Sequence, residues 1–254
     1  MKVFFLVLAR DKRFVSEKIK ELEGLGVPYL IVCGERLNHP NVVFRKPCGK
    51  YDAINFGFKF VPRDIDVVAL NDVDTKINNL EAALSLFEMK NVALCFAKVL
   101  AKRGPQNLFL TMLRKLRKIV PIAASGDLML IRYKVLKEVV PIRSCKAEDS
   151  YLLFKVLERN YKVADCDECY VIGEKTDTAE EEEEYKRRTV CGIYQALHYT
   201  KPPFFIKLFY FVLPFASPLL LVLGRKGYFW VRGILFGFTD YLRGDRAGTW
   251  QPYT

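Results

Sequence analysis

The chain has 254 residues, 51% of them hydrophobic, enough to bury a sizeable core and too apolar for a disordered chain. Forty Lys and Arg against 29 Asp and Glu leave a net charge of +11, which points to an anionic partner such as a phosphorylated substrate or an anionic lipid. With only two histidines, His39 and His198, Ser-His-Asp catalysis and histidine-rich zinc hydrolysis are poor fits.

Val3–Ala9 reads as a buried strand: the apolar run is short and meets Arg10, Asp11, Lys12 and Arg13 without a small-residue cleavage site, unlike a signal peptide. Val15–Leu25 has helical periodicity and Tyr29–Cys33 reads as a second strand. Then come a short strand at Val42–Arg45, a helix at Tyr51–Phe60 and a strand at Ile65–Leu70 that runs into Asn71-Asp72-Val73-Asp74-Thr75. Strands alternating with helices imply a mostly parallel α/β sheet with helices on both faces, Rossmann-like, whose ligands bind at the C-terminal strand ends. Ala9–Asp11, Cys33–Glu35 and Asn71–Thr75 fall there.

From Met89 to Gly126 there is no acid and there are eight basic residues, among them Lys90, Lys102, Arg103, Arg114, Arg117 and Lys118. Leu108, Phe109, Met112, Leu113, Leu116 and Ile119 keep helical spacing within it, which reads either as a basic amphipathic helix at a membrane surface or as an ordinary helix over the core. A helix is expected at Tyr151–Arg159. The seven cysteines are odd in number and scattered, a reduced, cytosolic pattern. The CxxC of Cys166 and Cys169 lacks the second pair that zinc would want and reads as structural. The run Glu180–Glu184 reads as a solvated, flexible approach to the next helix.

At the C-terminus, Phe204–Leu223 is a 20-residue apolar stretch whose one charge is Lys207. It is long enough to span a bilayer, with Pro214 and Pro218 as kinks. Tyr228–Leu242, beyond Arg225 and Lys226, is short for a span. Either the pair forms a spanning hairpin or it lies in the cytoplasmic leaflet. Residues 1–200 are expected to form the catalytic domain and 201–254 a membrane-associated helical hairpin.

Asp72 and Asp74, on a turn at the end of an apolar strand, can share a hard divalent cation with diphosphate oxygens. Around this pair, in order, stand Gly49-Lys50-Tyr51-Asp52-Ala53-Ile54-Asn55 upstream, then Ser125-Gly126-Asp127 with Arg132, then Glu148-Asp149 heading a helix, then Tyr185-Lys186-Arg187-Arg188-Thr189. Over residues 1–200 this ordered set resembles the family 2 glycosyltransferases of GT-A fold. The resemblance implies a nucleotide-sugar donor, Mg²⁺ or Mn²⁺, and inversion at the anomeric carbon. It also implies a role for each matched residue. Asp72 contacts the ribose or the metal, and Asp74 binds the metal. Lys50 and Asn55 belong to the donor pocket, to which the strand-end positions also assign Ala9, Arg10 and Glu35. Asp149 is the general base, with Glu148 orienting the helix start, and Arg188 stabilises the leaving diphosphate. Where the family carries an Asp after the second strand, this chain has Cys33-Gly34-Glu35. Tyr185 and Thr189 replace the Gln and Trp flanking the family's arginine, which argues against a processive synthase. The apolar tail and the acid-free basic span point to a lipid-linked or glycan acceptor at the cytoplasmic membrane face. A polyprenyl-phosphate acceptor and a non-catalytic membrane scaffold are the alternatives. Nothing resembles a nucleic-acid-binding module, so no nucleic-acid partner is expected.

Overall fold

Val3–Ala9 (β1) carries no polar residue because both its faces are covered. Phe4, Leu6 and Leu8 point into one core, and Val3, Phe5, Val7 and Ala9 into the other. A computed structural model describes residues 1–101, 106–173, 176 and 178–245. Lys102 and Arg103 of the basic span, the side chains of Lys90 and Phe109, and residues 246–254 lie outside the described residues.

Along the chain, β1 is followed by helix α1 (Val15–Gly24), β2 (Tyr29–Cys33), β3 (Val42–Phe44), α2 (Lys50–Gly57) with a 3₁₀ turn at Phe58–Phe60, and β4 (Val67–Asp72). Each expected element of this half is present, β1 and β2 with the expected bounds and the others with ends moved by at most three residues. Then come β5 (Thr75–Asn78), α3 (Leu80–Lys90), β6 (Leu94–Ala101), α4 (Gln106–Ile119), β7 (Leu128–Arg132), α5 (Tyr133–Val139), α6 (Glu148–Glu158) and β8 (Val163–Gly173). The described residues end with α7 (Ala179–Tyr199), α8 (Phe204–Ala216), a 3₁₀ segment Ser217–Leu223, and α9 (Arg225–Leu242).

The strands form one sheet in the order β3-β2-β1-β4-β7-β6-β8-β5. The first four are parallel, as expected. The sheet as a whole is mixed but mostly parallel, with six of its eight strands running the same way: β7 runs antiparallel to both β4 and β6, and β5 antiparallel to β8. The antiparallel β4–β7 pair has a functional consequence. It brings the start of β7, at Asp127, beside the end of β4, at Asp72, whose backbone N–H donates to the Asp127 carbonyl at 3.1 Å.

Between Ala97 and Lys98 the β6–β8 register slips, so that Asp167 to Cys169 bulge out between Cys166 and Tyr170. Both cysteines of the CxxC are free and buried, and the Cys169 N–H donates to Cys166 Sγ at 3.3 Å, so the motif brackets the bulge. Asp165 and the bulged Asp167 hold α4 through ion pairs to Arg117 (2.5 Å), Arg114 (3.0 Å) and Lys118. Three of the helix's basic residues are therefore spent on β8. Its apolar residues Leu108, Met112, Leu116 and Ile119 are exposed, unlike those of an ordinary helix packed over the core.

The glutamate run is not a solvated approach, which corrects that expectation; it forms the first turns of α7. Thr178 and Glu181 make a reciprocal capping box. Glu182 is buried against Lys186 at 3.0 Å, while Glu180 meets Arg225 and Glu183 meets Arg232 on α9. Lower on the same seam Arg187 clasps Asp240 at 2.6 Å. Two glycines let the helix backbones approach: a Cβ at Gly233 would lie 2.6 Å from the Glu183 carbonyl oxygen, and one at Gly237 would lie 2.3 Å from that of Arg187.

Candidate active site

The site forms where four chain segments end on the same edge of the sheet. Asp72 closes β4 in register with Leu8 of β1, and the Val73 N–H donates to the Leu8 carbonyl, which fixes the turn carrying Asp74. Lys50 opens α2, Glu148 and Asp149 open α6, and the Ser125-Gly126-Asp127 loop leads into β7. All six of Lys50, Asp72, Asp74, Asp127, Glu148 and Asp149 line one cavity of about 1240 Å³, as do Arg10, Arg13 and Arg188.

Lys50 Nζ sits 2.5 Å from Asp72 Oδ2. Burial works against its charge, but Asp72, Glu148 and Asp127 outweigh that and raise its pKa above the ordinary lysine range. One lysine is too little positive charge for its surroundings. Burial, reinforced by Asp74 and Asp127, pushes Asp72 up to about 6 despite the ion pair. Burial pushes Glu148 up to about 7, with Asp149 adding to the rise. Asp149 is raised as well, chiefly by burial, while the Ser150 N–H donates to its Oδ1 at 2.7 Å and opposes the rise. Gly126 packs on Asp149: a Cβ there would come within 3.3 Å of Asp149 Oδ2.

Does this set fit a divalent cation? Asp72 Oδ1 is buried with no hydrogen-bond partner, a costly arrangement for a carboxylate oxygen unless something else binds it. Asp74 lies exposed two residues on, at the cavity wall. Among the described residues no three His, Cys, Asp or Glu side chains converge as a self-sufficient metal cage. The donor set thus fits Mg²⁺ or Mn²⁺ held by one or two carboxylates, with phosphate oxygens and water completing the shell.

The sequence missed a polar layer behind this turn. Lys18, whose side chain is 1% exposed, bonds Glu21 Oε2 at 2.7 Å, Asn71 Oδ1 at 2.9 Å and the Thr75 carbonyl. Asn71 Nδ2 donates to Thr75 Oγ1 and to the Asp127 carbonyl, and Thr75 Oγ1 donates to the Asp72 carbonyl at 2.9 Å. The available signal was a lysine at a position that the helical periodicity of Val15 and Leu22 assigns to the core.

Other expected donor-pocket residues are divided. Arg10 lines the cavity, while Ala9, Glu35 and Asn55 lie outside its lining. Ala9 is buried at the end of β1, and its carbonyl accepts from the Gly34 N–H at 2.9 Å, which brings Glu35 beside the Arg10 loop. Asn55 faces elsewhere: Nδ2 donates to the Ile142 carbonyl at 2.9 Å and Oδ1 accepts from the Ile142 N–H at 2.8 Å. Both ends of the amide are used to clamp the segment after α5, so a donor-pocket role for Asn55 is replaced by a structural one. Arg188 lies on the cavity side of α7, its guanidinium 5.3 Å from the centroid of the Tyr185 ring.

No protein-family model matches the chain, and no curated protein matches it in sequence. Among solved structures it is similar to the mannosyltransferase PcManGT from Pyrobaculum calidifontis in complex with GDP-Man and Mn²⁺, at 11% identity and a TM-score of 0.67, covering 96% of this chain and 88% of that one. It is also similar to GalNAc-T7 with UDP, GalNAc and Mn²⁺, at 9% identity and a TM-score of 0.55, covering 96% of this chain and 56% of the other. Glucosyl-3-phosphoglycerate synthase from Mycobacterium tuberculosis with Mg²⁺ and UDP follows at 13% identity, a TM-score of 0.51 and 80% coverage of each chain. Identities this low speak to architecture alone, and the architecture is that of the GT-A glycosyltransferases.

Proposed function

We propose that the protein is an inverting, metal-dependent glycosyltransferase that moves a sugar from a nucleotide-sugar donor to an acceptor at the cytoplasmic face of a membrane. The observation that carries this reading is the convergence of Asp72, Asp74, Lys50, Glu148, Asp149 and Arg188 in one cavity at the C-terminal end of β4 in a GT-A fold. The named complexes of three proteins of this fold contain a divalent cation and a nucleotide, which supports a donor site of the same kind here.

Asp74 and the unpartnered Oδ1 of Asp72 would hold Mg²⁺ or Mn²⁺, which when bound offsets the charge of the diphosphate. Lys50 keeps Asp72 in place through its 2.5 Å contact. Arg188, across the cavity on α7, meets the charge that grows on the departing phosphate. Asp149 accepts the proton of the acceptor hydroxyl as that oxygen attacks the face opposite the leaving group. Its burial raises its pKa, which makes it a stronger base than an exposed aspartate.

Residues 201–254 supply the membrane contact in this reading. Phe204–Leu223 has a mean hydropathy of 2.0 and only 22% of its apolar window is buried. Phe211, Phe215, Leu219 and Val222 are more than 70% exposed, a patch that soluble monomers rarely tolerate. The ion pairs and close glycine contacts of α9 with α7 keep the second limb on the catalytic domain, which favours a hairpin lying in the leaflet over a spanning one.

The test is thermal unfolding of the purified full chain with Mn²⁺ and a panel of nucleotide-sugars. A donor at one hundred times its Kd stabilises the native state by about 2.7 kcal/mol. The expected result is a Mn²⁺-dependent rise in Tm with one donor, lost in Asp74→Ala. Equal Tm values with every donor would overturn the reading.

A further inference from the structure

The same cavity has a second arm that the donor chemistry does not use. At about 1240 Å³ it exceeds the range of roughly 300–1000 Å³ that a single small ligand occupies. Beyond the carboxylates it passes between α4 on one side and α8, the 3₁₀ segment and α9 on the other. The apolar part of its lining there is Leu113, Leu116, Phe209, Leu213, Leu220 and Ile234.

Two hydrogen bonds fix that geometry. Tyr210 on α8 donates to the Ile122 carbonyl, just past α4, at 2.7 Å, and Tyr194 on α7 donates to the Tyr210 carbonyl at 2.6 Å. The anchoring of α4 by Asp165 and Asp167 fixes the other wall. At the rim, Met112, Leu116 and Ile119 both line the cavity and are exposed, Ile119 by 80%. One end of the arm therefore meets the carboxylates and the other is edged by apolar surface.

We propose that this arm is the binding site for the hydrocarbon chain of a lipid acceptor whose polar headgroup reaches Asp149. The six leucine, isoleucine and phenylalanine side chains offer no hydrogen bonds, so glycan hydroxyls laid along them would lose their water partners and gain none, although Thr111, Arg114, Lys115, Arg117, Tyr210 and Trp230 also line the cavity. A hydrocarbon chain loses nothing on entering and gains from leaving water. The inference deepens the transferase reading, since it narrows that reading's lipid-or-glycan acceptor to a lipid; the arm itself stands on its geometry.

The probe is hexadecyl phosphate carrying a diazirine at the chain end, presented to the full-length protein in phosphatidylcholine vesicles, photolysed, and mapped by peptide mass spectrometry. Labelling of Leu113, Leu116, Phe209, Leu213 and Leu220 is expected to saturate with probe and to fall at least fivefold under excess unlabelled hexadecyl phosphate. Leu213→Trp, which fills the arm, is expected to lower the same labels several-fold. Labelling that does not saturate and is confined to outward residues such as Phe211, Phe215 and Val222 would reduce the feature to membrane contact and overturn the proposal. Saturation in the wild-type chain is read independently of whether the Trp variant folds. A saturable internal label with no donor-induced Tm shift would leave the lipid site standing and remove the transferase reading; the reverse pair of results would remove only the lipid site.

Discussion

Lys18→Met tests whether the buried polar layer positions the turn proposed to bind the metal. Methionine keeps much of the aliphatic stem and removes the ammonium. Three acceptors then lose a donor: Glu21 Oε2, Asn71 Oδ1 and the Thr75 carbonyl. Breaking a buried ion pair by removing one partner costs about 3–5 kcal/mol. Glu21 is 17% exposed and keeps a 2.6 Å bond from the Ile77 N–H, so water and backbone soften its loss and put the expected cost near 3 kcal/mol. The turn is also released. Asn71 and Thr75 together fix the Asp72 and Asp127 carbonyls, and loss of such supporting contacts typically weakens metal affinity by about 10–100-fold. Urea unfolding gives the first quantity and Mn²⁺ titration of the folded variant gives the second. Adding Glu21→Gln should cost less than the sum of the two single changes, because the second removes a charge that the first had stranded. A loss below about 1 kcal/mol with unchanged Mn²⁺ affinity would refute the positioning role.

Asp149→Asn should lower transfer to a hydroxyl acceptor by at least about 10²-fold while leaving the Mn²⁺-dependent donor shift intact; undiminished turnover would point to an acceptor that is already ionised, such as a phosphate. Glu148 supplies a pH test. Burial holds its pKa near 7, so the folded protein keeps a proton that the unfolded chain releases, and stability contributed at this position falls as pH rises from the ordinary glutamate range to about 7. Glu148→Gln should therefore gain on the wild type by about 3 kcal/mol between pH 4 and pH 8, read from urea midpoints, and a constant difference would contradict the assignment. Gly237→Val should push α9 off α7 and cost about 1–3 kcal/mol, because its Cβ would lie 2.3 Å from the Arg187 carbonyl oxygen. A variant as stable as the wild type would mean that the helices do not pack this closely.

What the sequence revealed was set by how local each cause is. The strand β1 and the turn at Asp72–Asp74 were legible because a fully apolar run followed by acids within a few residues has few other readings. The antiparallel entry of β7 was not, since Leu128–Arg132 looks the same whichever way it pairs. Yet that pairing is what brings Asp127 to Asp72. The amphipathic pattern of α4 was visible, but which side faces the protein is decided about fifty residues later, by Asp165 and by Asp167, the latter displaced by a bulge.

The glutamate run shows most plainly why a local reading fails. Five like charges in a row look self-repelling and solvated. On a helix they point in successive directions around the axis, and here Glu180 and Glu183 meet cations of α9, Glu182 meets Lys186 in the core, and Glu181 closes the cap. One further turn along, Arg187 faces α9 and its neighbour Arg188 faces the cavity. Residues adjacent on a helix diverge by about 100°. The rotation of α7 that seats its acids on α9 is thus the same rotation that aims Arg188 at the site. The C-terminal helix α9 therefore sets the orientation of a candidate catalytic arginine, and disturbing the α7–α9 seam should be felt at the site.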